Sequence, residues 1–249
     1  MITIEEINAA TKDVQPLFSE LQNLYGCLPK TRCQCEQPGV CCAFLPEMTL
    51  LEALRWIRVI QEMPADARTR ILLKFLEFYL TNPIRRSACP FLEKGTCSIY
   101  KWRPFACRAY GLWSAEFGKK RTEKSRRDRK TLLQMWQKFG LVLPPEIVRF
   151  EIDYCGKVDC SPDNDRSDEQ LMAILQKIYK LDAVQAELRM KFENDYHSDF
   201  SLLLAVLSMG YKKAVLGKFA VIKEIVQQRT QERLQQMLDK ATAEVLISS

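Results

Sequence analysis

Ten cysteines are the residues of this chain best suited to chemistry, and seven of them lie between Cys33 and Cys107. Whether such thiols form disulfides or bind metal depends on the redox compartment. The first residues carry two acids and no basic flank, unlike a secretory signal, and no apolar run approaches the ~20 residues of a membrane span. We therefore expect a soluble, cytoplasmic protein with no membrane segment, whose reduced thiols bind metal.

Eight cysteines lie in loops rich in Pro, Gly and polar residues, where bound metal would supply the order that the local sequence lacks. The predicted metal ligands are Cys33, Cys35, Cys41, Cys42, Cys89, Cys97, Cys107 and Cys155. Eight thiolates would serve two four-thiolate sites, and one such site with spare thiols is equally allowed. Cys160 stays open as a further ligand, whereas Cys27, at the end of the first predicted helix, is expected to be a buried free thiol.

The spacing of the thiols bears on which metal they bind. Structural zinc sites usually contain paired Cys-x₂₋₄-Cys knuckles, and this chain has no Cys-x-x-Cys. Irregular spacing and a proline directly after Cys89 fit an iron–sulfur cluster better, because Cys-Pro also occurs among ferredoxin ligands. We therefore expect an iron–sulfur cluster, of the 4Fe-4S type, with zinc as the alternative.

Two arginines, Arg103 and Arg108, lie among the thiols of the second cysteine loop. Their charge would lower thiolate pKa values and offset the negative charge of a cluster, which makes them candidate cofactor-binding residues. The alternative is that both arginines only hold the loop together through pairs with acids.

The stretch from Cys89 to Tyr110 closely resembles the signature of the YkgJ-type cysteine-cluster family, a zinc- or iron-chelating family with a Cys-x-x-Cys-x-x-Cys-Cys motif. The matching positions are Cys89-Pro90, Leu92, Gly95, Cys97, Ile99-Tyr100, Arg103-Pro104 and Cys107-Arg108. The first cysteine group departs from the motif, since five residues separate Cys35 from Cys41-Cys42. The resemblance covers roughly residues 30–160 and implies a metal-chelating cysteine cluster. Flagellin lysine methylases carry a related cluster, so the resemblance also admits protein methylation.

The elements that must position these loops are predicted to be helical. Apolar residues at helical spacing from Ile4 to Tyr25 predict one amphipathic helix bent near Pro16. A capping-box pattern at Thr49–Glu52 and a proline at position 64 open two helices between the cysteine groups.

Helical patterns continue beyond the second loop, and no convincing alternating strand occurs. We predict an all-α protein: a helical domain with cysteine-rich metal-binding loops, and a helical C-terminal extension. The boundary is expected near residue 165, with a metal-binding domain over 1–165 and the extension over 166–249. The C-terminal helices are candidates for oligomerisation or for ordinary internal packing.

A basic helix follows the second cysteine loop. Residues 119–130 hold eight Lys or Arg and two acids, an excess equal to the formal charge of +6 of the whole chain. Its candidate contacts to nucleic acid or to an acidic protein partner are Lys119, Lys120, Arg121, Lys124, Arg126 and Arg127. The alternative is a solvated helix face.

Catalytic residues cannot be assigned, since His197 is the only histidine and stands at a helix end, as surface or capping residues do.

Three function classes stay open. The first is a redox or structural metal module that binds a partner protein. The second is a cluster-dependent enzyme, which predicts a cavity beside the cluster. The third is a metal-stapled protein that binds nucleic acid through the basic helix.

Overall fold

A computed structural model describes residues 1–33, 39–151, 155–160 and 167–241 of the chain. Helices cover most of these residues, which confirms the predicted all-α class. The helices are α1 (Ile4–Asp13), α2 (Leu17–Gly26), α3 (Leu50–Gln61), α4 (Ala65–Thr81), α5 (Phe105–Arg108), α6 (Ala115–Lys138), α7 (Pro145–Val148), α8 (Asp168–Asp182), α9 (Ala186–Tyr196), α10 (Phe200–Met209), α11 (Tyr211–Gln228) and α12 (Glu232–Lys240). Short 3₁₀ turns occupy Val40–Ala43, Tyr100–Trp102 and Ala183–Gln185.

The N-terminal pattern forms two helices where one bent helix was predicted. α1 starts with a capping box, in which the hydroxyl of Thr3 accepts the N–H of Glu6 at 3.2 Å and the Glu6 carboxylate accepts the N–H of Thr3 at 2.8 Å. The break falls before Pro16, which lacks the N–H needed to continue the helical hydrogen bonds and starts α2 as its N-cap.

Two helices do separate the cysteine groups, as predicted. α3 begins with a capping box between Thr49 and Glu52, and its apolar face is completely buried at Leu54, Ile57 and Ile60. α4 starts after Pro64 and buries its second half in the same core.

Four aromatic rings at the centre of the core join the second cysteine loop to the helices. Trp56 of α3 and Phe75 of α4 lie at an angle against Phe91 of the loop, with ring centroids 4.9 and 5.1 Å apart. Both rings also meet Phe200 of α10, at 5.1 and 5.2 Å. Edge-to-face pairs of this kind contribute about 0.5–1.5 kcal/mol each beyond area burial. The core therefore fixes where the second cysteine loop begins.

The described residues include four short strands that were not predicted. β2 (Leu92–Glu93) and β3 (Thr96–Cys97) form a hairpin whose turn residues, Lys94 and Gly95, both have positive φ. β1 (Thr31–Cys33) pairs antiparallel with β4 (Val158–Cys160), far away along the chain. Strands of two or three residues are too short to show an alternating pattern.

The C-terminal helices pack on the cysteine-bearing half. α4 contacts α10, α11 and α12, and one continuous core includes residues from Ile2 to Leu234. His197 ends α9 as its C-cap in a left-handed conformation. The division at residue 165 and the proposed oligomerisation stay predictions.

Within the described residues, no single helix combines the length and apolar character needed to cross a membrane. The pair α10 and α11 meets that test together by length and composition only, with a bend of 111° between the two helices.

Candidate metal centre

The two cysteine loops meet through their backbones. The N–H of Cys89 donates to the carbonyl oxygen of Cys42 at 2.6 Å. Cys41 and Cys42 lie in the 3₁₀ turn that Gly39 starts with a φ of 92°. A Cβ on Gly39 would lie 2.8 Å from Leu92 Cδ2, so the glycine lets the β2–β3 hairpin pack directly on the first loop. These contacts place Cys42 beside Cys89 even though 46 residues separate them in the sequence.

Each thiol of the second loop has its own local support. Cys89 precedes the hairpin, Cys97 ends β3, and Cys107 lies in the short helix α5. The N–H of Cys107 donates to the carbonyl of Pro104 at 3.1 Å, and the N–H of Ser98 donates to Phe91 at 2.8 Å. The three thiols are thus held by three different local structures: a turn for Cys89, the end of a strand for Cys97 and a short helix for Cys107.

Four thiols form one electrostatic group: Cys42, Cys89, Cys97 and Cys107. Burial raises the pKa of Cys89 to about 12 and also raises the pKa values of Cys97 and Cys107. The pKa of Cys42 is raised first by its hydrogen bond to Cys41 and then by burial. A thiolate at Cys89 or Cys107 would raise it further, which shows that these side chains share one environment.

Cys41 has the opposite character. It is exposed, and the hydrogen bond that the Cys42 thiol donates lowers the pKa of Cys41 to about 6, with a further contribution from the charge of Arg103. The lowered pKa favours the thiolate of Cys41, the form that binds metal.

The two arginines differ in position. Arg103 lies over the Tyr100 ring at 3.6 Å, and its charge lowers the thiol pKa values of Cys41, Cys97 and Cys107. The Nε–H of Arg108 donates to the carbonyl of Arg103 at 2.7 Å. Its Nη2–H donates to the carbonyl of Lys101 at 2.5 Å. Both arginines hold the turn of the second loop, since the Arg103 Nε–H also donates to the carbonyl of Tyr100 at 3.2 Å, and Arg103 in addition acts on the thiols through its charge. Cofactor binding by either residue stays a prediction.

Glu52 is the supporting residue whose full role sequence analysis missed. Besides closing the capping box of α3, its Oε1 accepts the hydroxyl of Tyr25 at 2.5 Å and the N–H of Phe105 at 2.6 Å. Phe105 starts α5, which carries Cys107. The capping pattern identified Glu52 as a helix start, but the contact to α5 spans 53 residues and leaves no local signal.

The third cysteine segment lies beside the other two. β4 pairs its backbone with β1, so Cys160 lies opposite Thr31 and Cys33 lies opposite Val158. Gly111 has a φ of 81°, and a Cβ there would lie 3.4 Å from the carbonyl oxygen of Cys155. The close approach at Gly111 joins the Cys155 segment to the end of the second loop.

Four further cysteines are Cys27, Cys33, Cys35 and Cys160. Cys35 lies outside the described residues, and only the backbones of Cys33 and Cys160 are described. Cys27 is a free thiol, but the prediction that it is buried was wrong. It follows the last turn of α2, where the chain leaves the core, and its Sγ donates to the carbonyl of Asn23 at the surface.

The donor chemistry fits a soft metal ion, since thiolates suit zinc and iron–sulfur clusters. The residues that would hold the metal are Cys41, Cys42, Cys89, Cys97 and Cys107, together with the predicted ligands Cys33, Cys35 and Cys155. In the described ranges, no three Cys, His, Asp or Glu side chains are arranged closely enough to hold an ion. A complete ligand set would therefore need movement of these thiols or a contribution from beyond those ranges.

The predicted basic helix is α6, and most of its residues are exposed. From Ala115 to Lys138 only Trp136 is buried. Lys120 pairs with Glu116 at 2.7 Å, and Arg126 pairs with Glu151 through two hydrogen bonds of 2.6 and 2.8 Å. Of the six predicted contact residues, Lys119, Arg121, Lys124 and Arg127 are exposed and form no ion pair with the described residues.

No curated protein and no solved structure matches this chain. Residues 34–128, which begin directly after Cys33 and include Cys35 to Cys107 and the first half of α6, match the family model CxxCxxCC, described as "Putative zinc- or iron-chelating domain", and this match confirms the resemblance of the cysteine fragment to a zinc- or iron-chelating family.

Proposed function

We propose that this protein binds an iron–sulfur cluster through its cysteine cluster and acts as a redox or structural metal module for a partner protein. The observation that carries the proposal is the meeting of the two cysteine loops, with the Cys89 N–H bonded to the Cys42 carbonyl. Zinc bound by the same thiols is the alternative. The seven cysteines whose side chains are described are free thiols, in keeping with a reducing compartment such as the cytoplasm.

The charge at the site supports metal binding by these thiols. Metal-bound thiolates accumulate negative charge in a half-buried position, and Arg103 lies where its charge offsets it. A cluster's potential depends on such charges, so Arg103 would tune the redox behaviour as well as the affinity.

The deciding experiment is metal and sulfide analysis of protein purified without oxygen, together with its absorption spectrum. Iron with acid-labile sulfide and a broad band near ~400 nm would establish the cluster. Colourless protein with stoichiometric zinc would replace it with a zinc module. Protein with neither metal after reconstitution would refute the proposal.

Matched cysteine variants test the assignment of the ligands. Cys42→Ser and Cys89→Ser should lose the metal, because each removes a thiolate from the point where the loops meet. Cys27→Ser is the control, since this exposed thiol lies outside the electrostatic group of cysteines. Equal metal loss from all three variants would contradict the ligand set.

A second candidate function is nucleic-acid binding through α6. The observation that favours it is the exposed row of cations without ion pairs, which extends to Lys130. Replacing Lys119, Arg121, Lys124 and Arg127 with Gln should weaken binding to a single-stranded RNA and flatten its salt dependence, by about one unit of slope per lost phosphate contact. Binding to an acidic partner protein with no binding to RNA would favour the first function instead.

A further inference from the structure

A cleft of about 930 Å³ lies between the second half of α6, the end of α4 and helices α10 and α11. Two of its wall segments, Ala43–Glu47 and Arg85–Ser87, directly follow Cys42 and closely precede Cys89. The cleft therefore adjoins the cysteine cluster along the chain. Its volume falls in the range of roughly 300–1,000 Å³ that is typical of small-molecule sites.

The cleft concentrates the exposed apolar surface of the described residues. Seven of their fourteen large exposed apolar side chains line it, among them Phe139, Val215 and Leu216. Leu216 is 57% exposed and Phe139 is 59% exposed, so their apolar area is available to a ligand. Exposed apolar surface gathered in one concave place indicates a binding site, whereas scattered residues would not.

Of the cations that line the cleft, Arg85 pairs with Glu77 at 3.7 Å, but Lys218 and Arg86 have no acidic partner among the described residues. Lys218 Nζ lies 4.2 Å from the centre of the Tyr79 ring, and the Arg86 guanidinium lies 3.5 Å from the centre of the Phe150 ring. Neither forms an ion pair within the described part of the chain. Burial lowers the pKa of Lys218 to about 8, as expected for an amine whose charge has lost water without gaining a counter-ion.

The acids of the cleft do not neutralise these cations by direct pairing. Asp199 is the acid whose charge acts on Lys218, but its Oδ1 caps α10 by accepting the N–H groups of Ser201 and Leu202. Glu47 and Asp195 also line the cleft, and neither forms an ion pair among the residues whose positions are described.

Trp136 adds an aromatic ring to the wall of the cleft. Trp136, only 6% exposed, lines the cleft and stacks on Phe219, and its Nε1 is buried with no acceptor among the described atoms. Trp136 therefore contributes its aromatic ring to the apolar wall of the cleft, while its buried Nε1 is not open to a ligand there.

We propose that this cleft binds a small anionic amphiphile, a carboxylate with an acyl or aryl body. The apolar body covers the exposed side chains of α6 and α11, and the carboxylate accepts from the cations at the wall. This function lies beyond the metal site and does not depend on which metal is bound.

The test is a fluorescence titration of the full chain with a dansyl-labelled undecanoic acid, compared with the corresponding neutral amide. The acid should bind saturably at one site per chain and more tightly than the amide. Lys218→Met should weaken binding of the acid about tenfold or more, because it removes a charged hydrogen-bond donor, and should leave the amide nearly unaffected. Lys223→Met is the control on the same helix, since Lys223 is exposed and does not line the cleft.

A second pair of variants tests the location. Leu216→Glu should abolish binding of both probes, whereas Val184→Glu, at a site 62% exposed and outside the cleft, should not. Both positions are exposed, so the variants are expected to fold, which circular dichroism checks. Non-saturable uptake, equal affinity for acid and amide, or binding that survives Leu216→Glu would overturn the proposal. Binding of an apolar helical peptide in preference to both probes would also overturn it.

Discussion

At the scale of single residues, Cys41 differs from its neighbours because its thiolate is stabilised. The thiol of Cys42 donates to it and Arg103 adds positive charge, which together place its pKa at about 6. Only thiolates react with iodoacetamide, so in metal-free protein Cys41 should be the most reactive member of the cluster, with a midpoint near pH 6. Peptide mapping by mass spectrometry after brief alkylation at about pH 5 to 9 measures this.

Variants separate the two causes of this reactivity. Cys42→Ala removes the hydrogen bond, which is the larger cause, and should raise the alkylation midpoint of Cys41 toward the ordinary thiol pKa of ~8.5. Arg103→Gln should produce a smaller shift in the same direction. A wild-type midpoint above pH ~8 would show that the hydrogen bond does not stabilise the thiolate.

Glu52 joins the second loop to α2 and α3, because it accepts hydrogen bonds from Tyr25 and from the first residue of α5. Its two oxygens accept from the side chain of Tyr25, the backbone and hydroxyl of Thr49, and the backbone of Phe105. In Glu52→Gln, an NH₂ group replaces one of the two oxygens, so the donors that faced this oxygen lose their acceptor. The free energy of unfolding should therefore fall by about 2–3 kcal/mol. Metal affinity should fall about 10- to 100-fold, as when a supporting residue is lost. Denaturant unfolding and chelator competition measure the two effects.

Glu62→Gln is the matched control for that change. Glu62 forms the C-cap of α3 and pairs with Arg58 at 2.7 Å, with about half of its side chain exposed. An exposed pair contributes less than about 1 kcal/mol, so this variant should retain its stability and its metal affinity. Similar losses in both variants would contradict the role given to Glu52.

At the scale of elements, Asp182 joins α8 to the start of α3. Its Oδ1 accepts the N–H of Leu51 at 2.6 Å, while its Oδ2 is buried with no partner among the described atoms. Burial outweighs the hydrogen bonds and raises the pKa of Asp182 from 3.8 to about 6. The folded protein therefore holds this proton more tightly than the unfolded chain does.

The sign of the pH dependence follows from that raised pKa. The protonated carboxyl contributes stability that is fully present below pH ~4 and is lost as the pH rises through about 6. Asp182→Asn keeps the acceptor and removes the buried charge. The variant should gain stability over wild type as the pH rises from about 4 to about 7, by up to about 3 kcal/mol, because each pKa unit equals about 1.4 kcal/mol.

Urea unfolding at several pH values measures this difference. Asp66→Asn is the control, since Asp66 lies in the first turn of α4 and is exposed. Because an exposed carboxylate keeps its hydration, this control should not reproduce the gain in stability expected for Asp182→Asn. An Asp182→Asn difference that shrinks toward neutral pH would show that the charged form is stabilised instead.

At the scale of the whole molecule, metal binding should depend steeply on pH. Burial raises the pKa values of Cys89, Cys97 and Cys107, so these thiols are protonated at neutral pH in the metal-free protein. Each of them must lose its proton to bind metal, so the apparent affinity should rise with pH by about tenfold per pH unit for each proton released. Chelator competition with zinc at about pH 6 to 8, repeated with Cys27→Ser as control, measures the slope. An affinity independent of pH would mean that the buried thiols are not ligands.

The amino-acid sequence by itself determined the helical class, the two helices between the cysteine groups, and the family resemblance of the cysteine fragment. These depend on local information: a capping box at Thr49–Glu52, apolar residues at helical spacing, and conspicuous Cys-Pro and Arg-Pro pairs. The division of the N-terminal pattern at Pro16 was only partly predicted, because local pattern shows a bend but not whether the helix resumes separately.

Only the tertiary structure decided how distant segments combine. It paired β1 with β4, brought Cys42 to Cys89, made Glu52 a support for α5, and enclosed the cleft beside the cluster. None of these contacts leaves a periodic pattern in the sequence, because each joins residues that lie dozens of positions apart. The contacts arise only when the elements pack around one shared core. Local pattern identifies the elements, whereas the site depends on side chains and backbone groups that meet only after those elements have packed.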